Sequence, residues 1–311
     1  QVHTQASDYV TTQLLNYETI GGHMHTILKG KGKEVVIGID RPFVMIGEKI
    51  NPTGNKKLAA ALTEGNYDFA LTLAKRQIAW GADVLDVNVG VPGLDETTAI
   101  AKLVELLVAN VDVPLCIDSN SPQVLAAGLA AAPGKPLVNS VSAEEKSLNA
   151  ILPVVKERGA AVIGLTISEG GIPKTAEERV ALAEKIIERA AQKGIPIEDI
   201  IIDPLVLTVG SDSKAALITI QTIELLRREF GININLGASN VSFGLPDRHT
   251  ANQTFLAMSI AAGATCSITD PIKLGQGIRA ADLLLGKDDY AMRYIKYFRA
   301  AEKLKEAEAV K

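Results

Sequence analysis

The residues best suited to chemistry in this 311-residue chain are carboxylates, amides and hydroxyls that close a series of short apolar runs. In chain order they are Glu48 and Asn51, Asp86 and Asn88, Asp118 and Ser119, Asn139 and Ser140, Thr166, Asp203, Ser239 and Asn240, and finally Asp270. An ionised Asp only accepts hydrogen bonds, whereas Asn offers a donor and an acceptor from one side chain. Such a set suits a neutral heterocycle rich in N–H groups. A 2-amino-4-oxo-pyrimidine edge presents adjacent N–H groups that one buried carboxylate accepts in a fork, each charge-assisted bond being worth ~1.5–3 kcal/mol. Carboxylates and amides also suit Mg²⁺ or Mn²⁺. However, no DxD or HExxH cluster occurs, and the one HxH, His23 and His25, precedes the series. No bound metal is therefore expected. A phosphate site wants a Gly-rich turn with Arg or Lys near the end of the series, and GASNVSFG (237–244) supplies half of that. Taken singly, each residue has a simpler role as a cap; Asp118 and Ser119 stand where they would cap a helix opening at Pro122.

The apolar runs that carry these residues are FVMIG (43–47), DVLDVNV (83–89), PLCID (114–118), PLVNS (136–140), AVIGLT (161–166), DIIID (199–203), INLGAS (234–239) and ATCSI (264–268). Short, largely apolar runs of this kind are parallel strands covered by helices. Between them lie stretches of helical period such as YDFALTLAKRQIAWG, ETTAIAKLVELLVAN, TAEERVALAEKIIERAAQKG and KAALITIQTIELLRREFG, the last two ending in a basic turn and Gly194 or Gly231. Eight strands each followed by a helix make a (β/α)8 TIM barrel, an α/β fold whose functional rim lies at the strand C-termini. An open doubly wound sheet wants GxGxxG after its first strand. Here the looser GQGIRA (275–280) follows the last strand instead, where a loop-to-helix turn is expected. The barrel domain is assigned to 43–311 and an N-terminal extension to 1–42. Within the extension HTILKGKGKEVVIG (25–38) reads as a hairpin around Gly-Lys-Gly, plugging the barrel bottom, its basic turn solvated. The run YIKYFRAAEKLKEAEAVK (294–311) is an amphipathic helix packed outside.

Composition narrows the partners. With 32 Lys+Arg against 36 Asp+Glu, a net charge of −4 and no basic run, neither nucleic acid nor an anionic membrane is an expected partner. A hydrophobic content of 47% with 22% charged residues is that of a globular domain. Cys116 and Cys266 fall inside strands, as reduced thiols of a cytoplasmic protein do. No apolar stretch is long enough to span a bilayer. The polar opening QVHTQASDYVTTQ lacks a signal-peptide core and begins with Gln, as in a trimmed or excised chain.

Six motifs in order, IGEKINPTGNKK (46–57), GADVLDVNVG (81–90), CIDSN (116–120), VNS (138–140), IDPLVL (202–207) and GASNVSFGLPDR (237–248), resemble the pterin-binding methyltransferases over roughly 43–285. These are the methyltetrahydrofolate:corrinoid methyltransferases and the folate domain of cobalamin-dependent methionine synthase. The resemblance implies that Asp118, Asn139 and Asp203 hold the pterin, with Asp203 accepting from its amino-pyrimidine edge. Asn240 matches the asparagine that reaches N5 of the folate and stabilises charge there. Glu48, Asn51, Asp86, Asn88, Ser239 and Arg248 would line or order the same cavity. The implied activity, part of one-carbon metabolism, moves a methyl group between N5 of tetrahydrofolate and the cobalt of a corrinoid. A homodimer is also implied. Direct transfer needs no enzyme nucleophile, which agrees with a strand-end series free of histidine, and a neutral Asn at N5 is a positioned electrostatic stabiliser.

Two alternatives share parts of this pattern. A dihydropteroate synthase-like enzyme of folate synthesis typically carries Lys near the end of strand 7, where this chain has Ser239-Asn240-Val241-Ser242. A non-catalytic pterin- or folate-binding module would have no use for Asn240. The corrinoid-binding motif DxHxxG has one near-string, Asp247-Arg248-His249, which runs on to Asn252 in place of Gly. Cobalamin is thus expected on a partner corrinoid protein or on a further part of a longer polypeptide. Two strand cysteines cannot build a three-cysteine zinc site, so methionine synthesis by this chain alone is not expected.

Overall fold

The computed structural model describes residues 23–309; the polar opening run (1–13) lies outside them. A hairpin comes first, formed by β1 (Thr26–Lys29) and β2 (Glu34–Ile37), antiparallel with Thr26 opposite Ile37. The barrel then alternates β3 (Val44–Ile50), helices α1 (Lys56–Thr63) and α2 (Asp68–Ala79), β4 (Val84–Val87), α3 (Glu96–Asn110), β5 (Leu115–Asp118), α4 (Pro122–Ala131), β6 (Leu137–Ser142) and α5 (Glu145–Arg158). It continues through β7 (Ala161–Leu165), α6 (Ala176–Gln192), β8 (Ile200–Asp203), α7 (Ala215–Phe230), β9 (Asn233–Ile234), α8 (Arg248–Ala262), β10 (Cys266–Thr269) and α9 (Pro271–Leu284), and ends in α10 (Met292–Ala309). From β3 to β9 each strand pairs in parallel with the next, and β10 returns beside β3 with Cys266 opposite Val44. Closure comes from the Thr265 and Ile268 amides, which donate to the carbonyls of Ile234 and Leu236 at 3.0 Å. All eight strands expected from the apolar runs are present.

Two apolar layers hold this arrangement. Between strands and helices lies the larger core, including Leu85, Ile100, Leu103, Ile186 and Ile202, each almost wholly buried. Inside the barrel, Leu28, Val35 and Ile37 of the hairpin pack against Ile46, Cys116, Ile163 and Cys266 and close its lower end. Asn233 ties the plug in place, because its Nδ2 donates to Thr26 Oγ1 and to the Ile37 carbonyl at 3.0 Å. Both cysteines are buried free thiols. Gly231 ends α7 in the left-handed conformation, where an L side chain is strained. No helix among the described residues is long and apolar enough to cross a membrane.

Three local expectations change. The run 234–239 is extended only at its start, since Ala238–Ser242 coil into a 3₁₀ turn with the Asn240 amide donating to Gly237. GQGIRA is neither a phosphate turn nor a loop-to-helix turn; it lies inside α9, where bare Gly275 admits the Tyr297 ring. The cap of α4 is Ser121, which accepts from the Val124 amide, while Ser119 accepts from Ser121 and Asp118 turns to the barrel mouth.

Candidate active site

At the C-terminal rim a cavity of about 790 Å³ opens, and Glu48, Asn51, Asp86, Asp118, Asn139, Ser239 and Asn240 all line it. Five strand ends supply them. Neighbouring strands cross-link these side chains: Asn139 Nδ2 donates to Asp86 Oδ1 at 3.1 Å, and Asn88 Nδ2 donates to Asp118 Oδ2 at 3.0 Å. Asn88 also accepts from the Gly90 amide at 2.7 Å, so it orients Asp118 rather than facing the cavity. Asn51 folds the next turn by accepting from the Thr53 amide. Asn240 is exposed at the lip on the 3₁₀ turn.

Asp203 is buried and stands off the cavity wall. Its Oδ1 accepts from the Leu205 amide and its Oδ2 from Asn235 Nδ2, both at 2.8 Å. A carboxylate has about four acceptor positions, so two remain for a ligand. Burial raises Asp203 to about 6, even though the Leu205 amide, Asn235 and Arg179 pull the other way. Desolvation, reinforced by the Asp118 charge, lifts Asp86 well above the usual carboxylate range, and burial lifts Asp118 as well. These carboxylates pay for their burial with proton affinity, which an N–H-rich ligand offsets by donating to the ionised forms.

Several contributing residues escaped the sequence analysis. Lys49 bridges Glu48 and Asp270 at 2.8 and 3.0 Å. Burial opposes its charge, yet the two carboxylates outweigh it and hold Lys49 above the normal lysine value. Glu48 and Lys49 both reach the rim because the pairing of β3 with β4 shifts between Gly47 and Ile50. Asn235 was hidden in the run GININL, where two Asn alternate with Ile; polar side chains in so buried a strand demand partners, and that alternation was the available signal. Arg179, from the first turn of α6, is buried and donates to the carbonyls of Pro173, Pro204 and Leu205. It thereby fixes the turn after Asp203, where Leu205 takes a positive φ of 63°.

The remaining expected residues fall around the edge. Arg248 lines an adjoining cavity, donating to the Ser239 carbonyl at 2.7 Å and to Ser242 Oγ at 3.2 Å. Thr166 is buried, its hydroxyl directed to the Asp203 carbonyl. Asp270 is buried at the start of α9, capping it through the Ile272 amide. His249, absent from the strand-end series, stands beside Arg248 in the adjoining cavity. No group of three or more His, Cys, Asp or Glu with metal-binding geometry is found among the described residues.

A (β/α)8 barrel whose mouth gathers carboxylates and amides around a cavity has the form of a ligand-binding enzyme scaffold. Residues 47–270 match the family described as pterin binding enzyme. The chain belongs to that family. It is 32% identical to the methylcorrinoid:tetrahydrofolate methyltransferase of Eubacterium limosum over 265 residues, 83% of this chain and 96% of that protein. Methionine synthase of Mycobacterium tuberculosis is 33% identical over 248 residues, 76% of this chain. There the chain spans about a fifth of the relative's length, 21%. Among solved structures, dihydropteroate synthase of Yersinia pestis superposes with a TM-score of 0.64 at 19% identity, covering 85% of this chain and 100% of that one. The Xanthomonas albilineans dihydropteroate synthase with 4-aminobenzoic acid gives 0.63 at 22% identity, over 84% and 98%. Those two likenesses are of fold.

Proposed function

We propose that this chain is a methyltransferase that moves a methyl group between N5 of tetrahydrofolate and the cobalt of a corrinoid borne by a partner protein. The observation that carries the proposal is the meeting of Asp118, Asn139 and Asn240 on one cavity wall, with buried Asp203 beside it. The relative matched over nearly its whole length supports the direction from methylcorrinoid to tetrahydrofolate. Asp203 and Asp118 accept from the N–H groups of the pterin, while Asn139 and Asn88 hold the acidic side chains in register. With the ring so fixed, N5 points to the lip and to Asn240. As the N5 lone pair attacks the methyl carbon, the Co–C bond breaks and its electron pair stays with the partner's corrinoid. N5 becomes positive and its proton more acidic, and the Asn240 amide oxygen accepts that N–H more strongly there than in the ground state until the proton leaves to water. Exposure of Asn240 at the lip leaves room for a methyl donor carried by another protein.

The test is spectroscopic. Methylated corrinoid protein mixed with this chain and tetrahydrofolate should lose its Co–CH₃ absorption as methyltetrahydrofolate forms. Binding of folate with no spectral change would make the chain a passive binder, and condensation of a pterin with aminobenzoate would make it a synthase; either outcome rejects the proposal.

A further inference from the structure

At the lower end of the barrel, opposite the mouth, a separate cleft of about 330 Å³ lies where the hairpin turn, the link from α2 to β4, the second half of α9 and the start of α10 meet. Lys33, Trp80, Asp83, Arg279, Arg293 and Lys296 line it. Trp80 is only 5% exposed, yet its indole Nε1 is buried with no hydrogen-bond partner among the described residues. A buried donor left unpaired costs free energy unless a ligand accepts from it. Arg279, likewise 5% exposed, donates to the Phe43 carbonyl, Asp282 and Asp83, which occupies three of its five N–H groups. Asp83, the one carboxylate on the wall, is already engaged by Lys33, the Met45 amide and Arg279. The acids just off the wall are engaged too: Asp282 by the Phe43 amide and Arg279, and Asp288 by the Arg293 and Tyr294 amides. Arg293 and Lys296 have no side-chain hydrogen bond or ion pair among the described residues. Burial and the Arg279 charge lower the pKa of Arg293, against the pull of Asp83, Asp282 and Asp288. Four cations thus surround a single engaged carboxylate and an N–H without an acceptor.

We propose that this cleft is a phosphoryl-binding site, filled by free phosphate or by the phosphate group of a small monoester, and separate from the barrel mouth. It stands independently of the pterin assignment. A phosphate monoester carries about −1.5 to −2 charges at pH 7 and three strong acceptor oxygens. One oxygen accepts from the Trp80 N–H. The others meet the guanidinium groups of Arg279 and Arg293, whose planar forks suit pairs of phosphate oxygens, with the Lys296 ammonium as a further point charge. A carboxylate brings only two oxygens and one charge to the same donors. The volume falls in the range of small-molecule sites, ~300–1,000 Å³, and Tyr297 and Ala301 give an apolar wall for the rest of a monoester. A ligand held there ties the plugging hairpin to α2, α9 and α10, so it should also raise the melting temperature.

Because Trp80 is the chain's single tryptophan, its fluorescence reports on this cleft directly. The full chain is titrated at fixed ionic strength with inorganic phosphate, ribose 5-phosphate or succinate. Both phosphates should change the emission saturably, and succinate at the same concentrations should not. Tighter binding of ribose 5-phosphate marks the ligand as a monoester; binding no tighter than that of inorganic phosphate marks it as the free ion. An exposed ion pair contributes a factor of about 1.5 to 5 in affinity. The doubly substituted Arg293→Gln, Lys296→Gln chain, altered only at exposed positions, should therefore need about tenfold more of either phosphate. Trp80→Phe keeps the apolar packing but removes the N–H, and calorimetry should show at least about tenfold weaker binding. No saturable response to either phosphate, an equal response to succinate, or unaltered affinity in either variant overturns the proposal.

Discussion

Asn235 Nδ2 donates to Asp203 Oδ2 at 2.8 Å between the adjacent chain segments of β9 and β8, deep in the barrel mouth. That bond, with the Leu205 amide, holds the carboxylate still while two of its acceptor positions stay open. Asp203→Asn keeps the shape but sets an NH₂ group against other donors. Pterin or tetrahydrofolate binding should weaken by ~1.5–3 kcal/mol, about 10- to 150-fold, as read by calorimetry. Unchanged affinity would make Asp203 purely structural.

The same carboxylate should make binding depend on pH. Asp203 titrates near 6 in the free protein. Protonation replaces one of its acceptor positions with a donor, so affinity should fall as pH drops through 6 and level off above 7. Asn235 and Arg179 both hold this pKa down. Asn235→Leu removes the first of these and should move the limb to higher pH; Asp203→Asn should remove the part of the limb that Asp203 contributes. Asp86 and Asp118 titrate in the same cavity and remain in that variant, which serves as the control for their share. A flat profile between pH 5 and 8 in the unaltered protein defeats this expectation.

Asn240 is assigned to the transition state more than to the ground state. Loss of one such group typically costs ~10²–10³ in rate. Asn240→Ala should therefore lower kcat for methyl transfer by that factor, with a smaller change in folate affinity because Asp118 and Asp203, held in register by Asn88, Asn139 and Asn235, still grip the ring. Transfer close to the normal rate with normal folate binding would refute the role.

Arg179 acts on the fold beneath the site. It serves three backbone carbonyls around the turn at Leu205, and burial lowers its pKa. Arg179→Met strands those acceptors and should cost about 2–5 kcal/mol of stability, seen as a lower urea midpoint at unchanged slope. Tetrahydrofolate affinity should fall too, since the turn positions Asp203. A midpoint within error of the unaltered protein would show that the carbonyls find other partners.

The barrel, its eight strands and most of the rim are legible from local pattern alone. A buried strand of four to seven residues writes itself locally as an apolar run, and the polar residue that ends it falls at the mouth whatever the rest of the chain does. Asp86, Asp118, Asn139 and Asp203 were legible on those grounds, and the hairpin was legible from Gly-Lys-Gly between two short strands. How these groups meet depends on packing between distant segments. Lys49 joins the site because a register shift in β3 brings two consecutive residues to one rim. Asp203 turns from the cavity wall to Asn235, and Asn233 clamps the plug, because barrel closure sets β9 against segments far away in sequence. Gly275 of GQGIRA admits a tyrosine from α10 rather than a phosphate. Register and closure are products of packing between distant segments, so no local pattern carries them.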